Sequence, residues 1–464
     1  MGEIQNKLNE NVEVKKSEEK NVGTTRVVKR LPVKKFEIRE SLLTTLYENP
    51  HIKVIRHIFV ASLVALFVNT VLRDFFHHGE IRLGFKVILS GLDKLHLVVL
   101  IWICLNFTAI FAYYCFNFWA KKRINFPPKA SKLRIWDRVW IAGLLIYYIL
   151  HVQVICQLIS ALDLPMGSTA ILSLEVTRLL MKVHGFVRSN AEKVVYFKPH
   201  SDETLHLADV KHFLYFLFAP TLVYCDSYPR TKTIRKNFVA TKLCELIGVI
   251  FYYAFLLERF TIPDFKDIGI RQFTIQEVIL KVFDNFVIGL MFLLLSFYVV
   301  LDTTQNLFAE LLKFGDRQFY QDWWTATNYS QYFRSWNMVV GEWLYTYIYK
   351  DMYEHVVPGR KSIARISVFL LSAIVHEWIL SYMFGFFFPI LCLTFCFTGL
   401  VLTLIPAPKH SVINILFWYI LSLGCGLLSS LYTMEYFARK NSPVENPTLS
   451  DFIIPRLLTC NCTV

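Results

Sequence analysis

The stretch VFLLSAIVHEWILSYMF, Val368 to Phe384, is apolar enough to cross a membrane, yet His376 and Glu377 stand side by side near its middle. Ionisable side chains are expensive in hydrocarbon, so they face a protein interior or polar cavity and mark functional positions. The stretch is one of many. The 464-residue chain is 55% hydrophobic and 16% aromatic, with a mean hydropathy of +0.41, and the excess lies in long runs. That pattern predicts an all-α, polytopic integral membrane protein.

Length and hydropathy predict about nine spans, near 54–72, 95–118, 138–162, 211–224, 238–257, 278–301, 363–381, 384–405 and 412–432. The fourth is short and holds Pro220, which predicts a re-entrant or broken helix. SLEVTRLLMKVHGFVRSN, from Ser173, has a helical period but carries Arg178, Lys182, His184 and Arg188. It is expected to lie along the interface or to line a polar cavity. LFAELLKFGDRQ, from Leu307, reads as an amphipathic surface helix ended by Gly315.

The net charge is +13, but the basic residues flank apolar runs and form no nucleic-acid motif, so nucleic acid is not an expected partner. The clusters AKKRINFPPKASKLR (120–134) and DSYPRTKTIRKN (226–237) are expected to be cytoplasmic. Alternation then puts the N-terminus and segment 302–362 on the cytoplasmic side, with the C-terminus opposite. Residues 1–50 are polar, rich in Lys and Glu and poor in aromatics, which predicts a disordered cytoplasmic tail before a membrane unit over 51–464. No cleavable signal peptide is expected ahead of the first run. Most of the 10 cysteines sit in apolar runs as small hydrophobes, and no C-x-x-C pair suggests a metal.

The polar side of the chain concentrates in FYQDWW, Phe319 to Trp324, and TATNYSQYFRSWN, ending in Arg334, Trp336 and Asn337. Aromatic residues crowd membrane interfaces as anchors, but Asp322 among four of them calls for a partner. Downstream, Arg360, Lys361 and Arg365 precede the His376 run, as snorkelling interface residues or as a patch for anionic groups. An imidazole withdrawn from water favours its neutral form, able to accept a proton. His376 is therefore a candidate general base, the plainer alternative being a packed core histidine. Ser372, one turn earlier on the same face, is placed to orient substrate or imidazole, unless it bonds only its own helix. Glu377 points about 100° away around the helix and has no assigned part in the chemistry.

FYQDWW, RSWN and SAIVHEW in this order resemble the membrane-bound O-acyltransferase family, and most closely its sterol O-acyltransferase branch. EVTRLLMKVHGFVR (175–188), FAPTLVYCDSYPR (218–230) and EYFARKNSPVENPTLSDFIIPR (435–456) look like further segments of that branch. The resemblance covers most of the chain from about Arg56 onward. It implies a fold with a buried central reaction chamber, and transfer of a long-chain acyl group from acyl-CoA to a sterol hydroxyl. No metal or redox cofactor is implied. His376 and Asn337 fall on the family's catalytic positions; Phe319, Tyr320, Asp322, Trp323, Trp324, Arg334, Trp336, Lys361 and Ser372 are expected at the acyl-CoA or sterol. An endoplasmic reticulum membrane and a homodimer are implied as well. Diacylglycerol or another lipid alcohol is the alternative acceptor, and a transporter the alternative class.

Three departures accompany the resemblance. Thr325 replaces the asparagine that usually follows the paired tryptophans. Gly341 stands where branch members carry a histidine. Ser442 stands where the disulfide partner of Cys460 would be.

Overall fold

The computed structural model describes residues 31–79, 82–127, 130–197, 205–403, 411–444 and 448–459. They are helical throughout, with only isolated bridges among the described residues in place of sheet. We label α1 Pro50–His78, α2 Leu95–Ile124, α3 Ser131–Ala161, α4 Met166–Tyr196 and α5 Val210–Phe218. Then follow α6 Lys236–Phe265, α7 Ile275–Asp284, α8 Phe286–Leu311, α9 Tyr329–Ser335 and α10 Met338–Trp343. The chain ends with α11 Lys361–Phe384, α12 Ile390–Leu402 and α13 Ser411–Asn441, followed by two single-turn helices. Seven of these, α1, α2, α3, α6, α8, α11 and α13, are long and apolar enough to cross a membrane among the described residues.

Local chemistry sets the ends. Pro50 opens α1 behind Asn49, whose side chain accepts from His51 N at 2.9 Å, and Gly79 closes it with φ +66°. Thr274 and Glu277 form a capping box that starts α7 as a helix of its own. The span expected at 278–301 is consequently displaced to α8. Its C-terminal turns are the amphipathic stretch from Leu307, which continues the span and does not form a separate surface helix. Asn285, at the α7–α8 break, donates to Ser429 Oγ at 2.9 Å on α13. Gly289 and Gly426 let α8 and α13 touch: a Cβ at Gly426 would come within 2.5 Å of Phe286 Cα.

Two expected spans are shorter than the hydropathy suggested. Within 384–405, Gly385 ends α11 in a left-handed conformation, and α12 begins only after Pro389. Within 211–224, α5 runs nine residues before Ala219 and Pro220 end it, a rise of about 14 Å. Carbonyls freed inside a membrane protein must find donors. Arg178 donates to Leu217 O, and Lys182 to Phe216 O and, at 2.7 Å, to Ala219 O. Both cations come from α4. That helix lies neither along the interface nor against a polar cavity alone: Leu172, Val176, Leu179, Val183 and Phe186 are fully buried, with α2 and α11 packed against it. The basic residues that made α4 look superficial close off a broken helix from within.

The expected tail is not uniform. Residues 1–30 lie outside the described residues. Residues 31–49, expected as part of a disordered tail, are docked on the protein, with Ser41 wholly buried and Arg39 bridging to Asp316.

Candidate active site

The FYQDWW loop follows α8 and is held from several sides. Phe319 O accepts from Met338 N, and Gln321 N donates to Ser335 O, both at 2.8 Å. These two bonds bracket Trp336 and Asn337, so the two motifs form one backbone-linked unit. From α13, Asn414 and Trp418 each donate to Trp324 O at 3.1 Å. Trp323 lies 4.6 Å from Trp336, ring centre to ring centre, and 4.9 Å from Phe297, both edge-on.

Within the motif the side chains divide. Phe319, Tyr320 and Trp323 are almost wholly buried. The Tyr320 hydroxyl donates to Asp302, and Leu43 N donates to it at 3.4 Å. Burial, reinforced by the Asp302 charge, pushes that hydroxyl far above its ordinary range, so it stays a donor. Asp302 also takes Lys242 Nζ at 2.7 Å and Asn306 Nδ2 at 3.1 Å. Asp322 is exposed, and the partner it called for is Thr325, whose Oγ1 donates to it at 3.1 Å. The unusual Thr325 therefore fastens the turn to Asp322 at both the carbonyl and the carboxylate. Arg334 is exposed and donates to Ser330 O at 3.0 Å; Trp324 and Trp336 are half-buried.

Asn337 caps α10: its Oδ1 accepts from Val340 N at 3.0 Å. The cap fixes the side chain and leaves Nδ2–H₂ without a partner among the described residues. Four residues on, a Cβ at Gly341 would meet nothing within 4 Å. The place of the missing histidine is open space.

His376 and Glu377 separate sharply on α11. Glu377 is buried and accepts from Tyr432 Oη at 3.0 Å and from Cys392 N at 3.0 Å. It ties α11 to α13 and to the start of α12. His376 is exposed, not enclosed as its inward-facing assignment implied. Its Nδ1–H donates to Ser372 O at 2.7 Å, while the Ser372 hydroxyl stands at 3.5 Å. Ser372 thus orients the imidazole through its carbonyl. That bond selects the tautomer with a bare Nε2, the atom able to take a proton. Phe395 lies 6.1 Å from the imidazole and packs on Phe333 and Phe369, so an aromatic group links the histidine to α9.

At the start of α11, Arg360, Lys361 and Arg365 are exposed and make no ion pair among the described residues. Three unpaired cations at a helix N-terminus repel one another and the helix dipole, an arrangement suited to a bound anion. No cluster of three or more His, Cys, Asp or Glu stands ready for a metal among the described residues. Ser442 Oγ donates to Gly269 O at 2.9 Å, while Cys460 and Cys462 lie outside the described residues. Sequence reading missed Asp302, Asn306 and Lys242. Lys242 inside an apolar run was the available signal, since an intramembrane cation demands a partner.

Residues 81–434 match the model of MBOAT, the membrane-bound O-acyltransferase family. The chain belongs to this family. Among curated proteins it is similar to mouse sterol O-acyltransferase 1, 38% identical over 432 residues, covering 92% of this chain and 79% of the relative. Rat sterol O-acyltransferase 2 is 34% identical over 438 residues, covering 92% and 81%. Human sterol O-acyltransferase 2 is 32% identical over 438 residues, covering 92% and 80%. The family match takes in α2 to α12 whole, with the motif loop and His376 inside it.

Proposed function

We propose that the protein is a sterol O-acyltransferase, moving a long-chain acyl group from acyl-CoA to a sterol 3-hydroxyl. Nε2 of His376 accepts the hydroxyl proton as the sterol oxygen attacks the thioester carbonyl. The Nδ2–H₂ of Asn337 donates to the carbonyl oxygen as negative charge grows there. Collapse of the tetrahedral intermediate breaks the C–S bond, and the imidazolium returns its proton to the thiolate, giving sterol ester and free CoA. Lys361, with Arg360 and Arg365, meets the CoA phosphates. Asp322, Trp324, Arg334 and Trp336 line the acyl-CoA path, while Phe319, Tyr320 and Trp323 hold its wall from behind.

The observation that carries this mechanism is the imidazole of His376, with Nδ1 committed to Ser372 O and Nε2 bare on a membrane helix. The similarity to named sterol O-acyltransferases over 92% of the chain supports the sterol as acceptor. We place the protein in the endoplasmic reticulum as a homodimer, with a cytoplasmic N-terminus and lumenal C-terminus. We read α4, in place of the expected span at 211–224, and the short α12 as crossings beside the seven long apolar helices, which keeps that orientation. The test is labelled acyl-CoA offered to microsomes with a panel of sterols and glycerides. Labelled sterol ester is the expected product; triglyceride would move the acceptor to diacylglycerol, and no ester at all would favour a transporter.

A further inference from the structure

Residues 31–49 lie across several elements around the candidate site, and their contacts converge on the 315–317 turn, α8 and α10. Leu31 N donates to Glu354 at 2.7 Å. Lys34 pairs with Glu342 on α10, the helix capped by Asn337, and stands 3.8 Å from Asp316. Arg39 holds Asp316 with both guanidinium arms, at 2.6 and 3.1 Å, while its backbone pairs with Gly315 O and Arg317 N. Asp316 is three residues before Phe319. Glu40 bridges Arg235 at 2.9 Å and Arg317 at 3.3 Å. Ser41 Oγ accepts from Asn306 Nδ2 at 3.0 Å, and Asn306 in turn donates to Asp302, the acceptor for Tyr320.

These contacts are buried where they matter: Ser41, Asp302 and Asn306 have no exposed surface, and the Asp316 side chain has none. A surface ion pair contributes little, but bidentate and networked pairs with one carboxylate out of water fix geometry. We propose that residues 31–49 act as a strap that positions the acyl-CoA wall, with Lys34, Arg39 and Ser41 as its positioning residues. The strap holds Phe319–Trp324 through Asp316 and Tyr320, and holds Asn337 through Glu342. Acyl-CoA therefore binds to a wall built jointly by the motif loop and the segment ahead of the first span. The inference rests on assigning that loop to acyl-CoA.

The test uses the full chain purified in detergent, with direct binding of labelled palmitoyl-CoA and steady-state esterification measured together. Lys34→Glu sets a carboxylate against Glu342 and Asp316. It is expected to raise both the acyl-CoA Kd and KM by about 5-fold, the upper end for the loss of one ion pair, with charge repulsion in its place. The sterol KM is expected to stay within twofold. The exchange Lys34→Glu with Glu342→Lys is expected to recover part of the acyl-CoA binding, since it relieves the clash at position 342 and leaves that with Asp316. An unchanged acyl-CoA Kd in Lys34→Glu, or no recovery in the exchange, would overturn the strap. If the unaltered chain binds palmitoyl-CoA but forms no sterol ester, the acceptor reading fails while the Kd series still decides the strap. If it binds no palmitoyl-CoA, both fall.

Discussion

The motif loop and the histidine face of α11 are built on opposite plans. Between Asp316 and Asn337, backbone and side chains are bonded from the 31–49 segment, α8, α10 and α13, and Phe319, Tyr320, Trp323 and Tyr332 are out of solvent. Around His376 the imidazole has one hydrogen-bonding residue among the described residues, on its own helix, and aromatic rings beyond it. A surface that must hold a long flexible donor gains from being fixed beforehand, because ordering it on binding would cost affinity. A base must keep one nitrogen unoccupied, and a neighbouring protein partner there would compete with the substrate. Density on one side and sparseness on the other therefore belong to one reaction.

That contrast can be broken at four points. Asp302→Ala takes from Lys242 the more buried of its two carboxylate partners, leaving Glu245 at 2.9 Å, and releases Tyr320 and Asn306. A loss of about 3 kcal/mol of stability is expected, read as a lower thermal midpoint in detergent, because Tyr320 loses a buried acceptor and Lys242 keeps only one of two carboxylates. A midpoint near that of the unaltered chain would mean that the loop is not built on this network. Asn337→Ala removes the candidate carbonyl donor and should lower kcat by about 10²–10³-fold, as for other oxyanion donors. Since it also removes a helix cap, Asn337→Asp is the informative companion: it keeps the cap acceptor but loses the donor, and should be as inactive.

Smaller effects follow on α11. Glu377→Gln keeps the shape but weakens a carboxylate that receives a tyrosine hydroxyl and a backbone amide. Destabilisation of about 1–3 kcal/mol is expected, with kcat of the surviving protein unchanged, since hydrogen bonds to charged groups are worth about that much. A fall in kcat without loss of stability would bring Glu377 into the chemistry. Ser372→Ala should change the rate by less than about twofold, because its hydroxyl is at the limit of bonding to His376 and the orienting carbonyl remains. A large loss would show instead that the hydroxyl touches substrate.

Much of this was legible beforehand because membranes enforce simple rules. Runs of apolar residues became α1, α2, α3, α6 and α11 close to where hydropathy placed them, and Pro220 did end a helix. His376 stood out as an ionisable group inside such a run, while Asn337 was marked only by the resemblance of its motif. The rest depended on who meets whom. Nothing within 173–190 tells that Arg178 and Lys182 cap α5 instead of facing lipid headgroups, since both uses need a cation on a helical period. Glu377 stayed without a role because its partners, Tyr432 and Cys392 N, are 55 and 15 residues away. Residues 31–49 read as tail by composition, yet Lys34, Arg39 and Glu40 are charged because their partners on the protein are. Charge marks a segment as soluble only when its counter-charges are absent, and local sequence does not carry that information.

The account turns on Nε2 of His376 as the base. The direct test is the initial rate of sterol ester formation from labelled acyl-CoA by His376→Ala and the unaltered chain, at matched abundance in the same microsomes. Loss of a general base predicts a fall of at least about 10²-fold with acyl-CoA binding retained. A rate within twofold of the unaltered chain would contradict it.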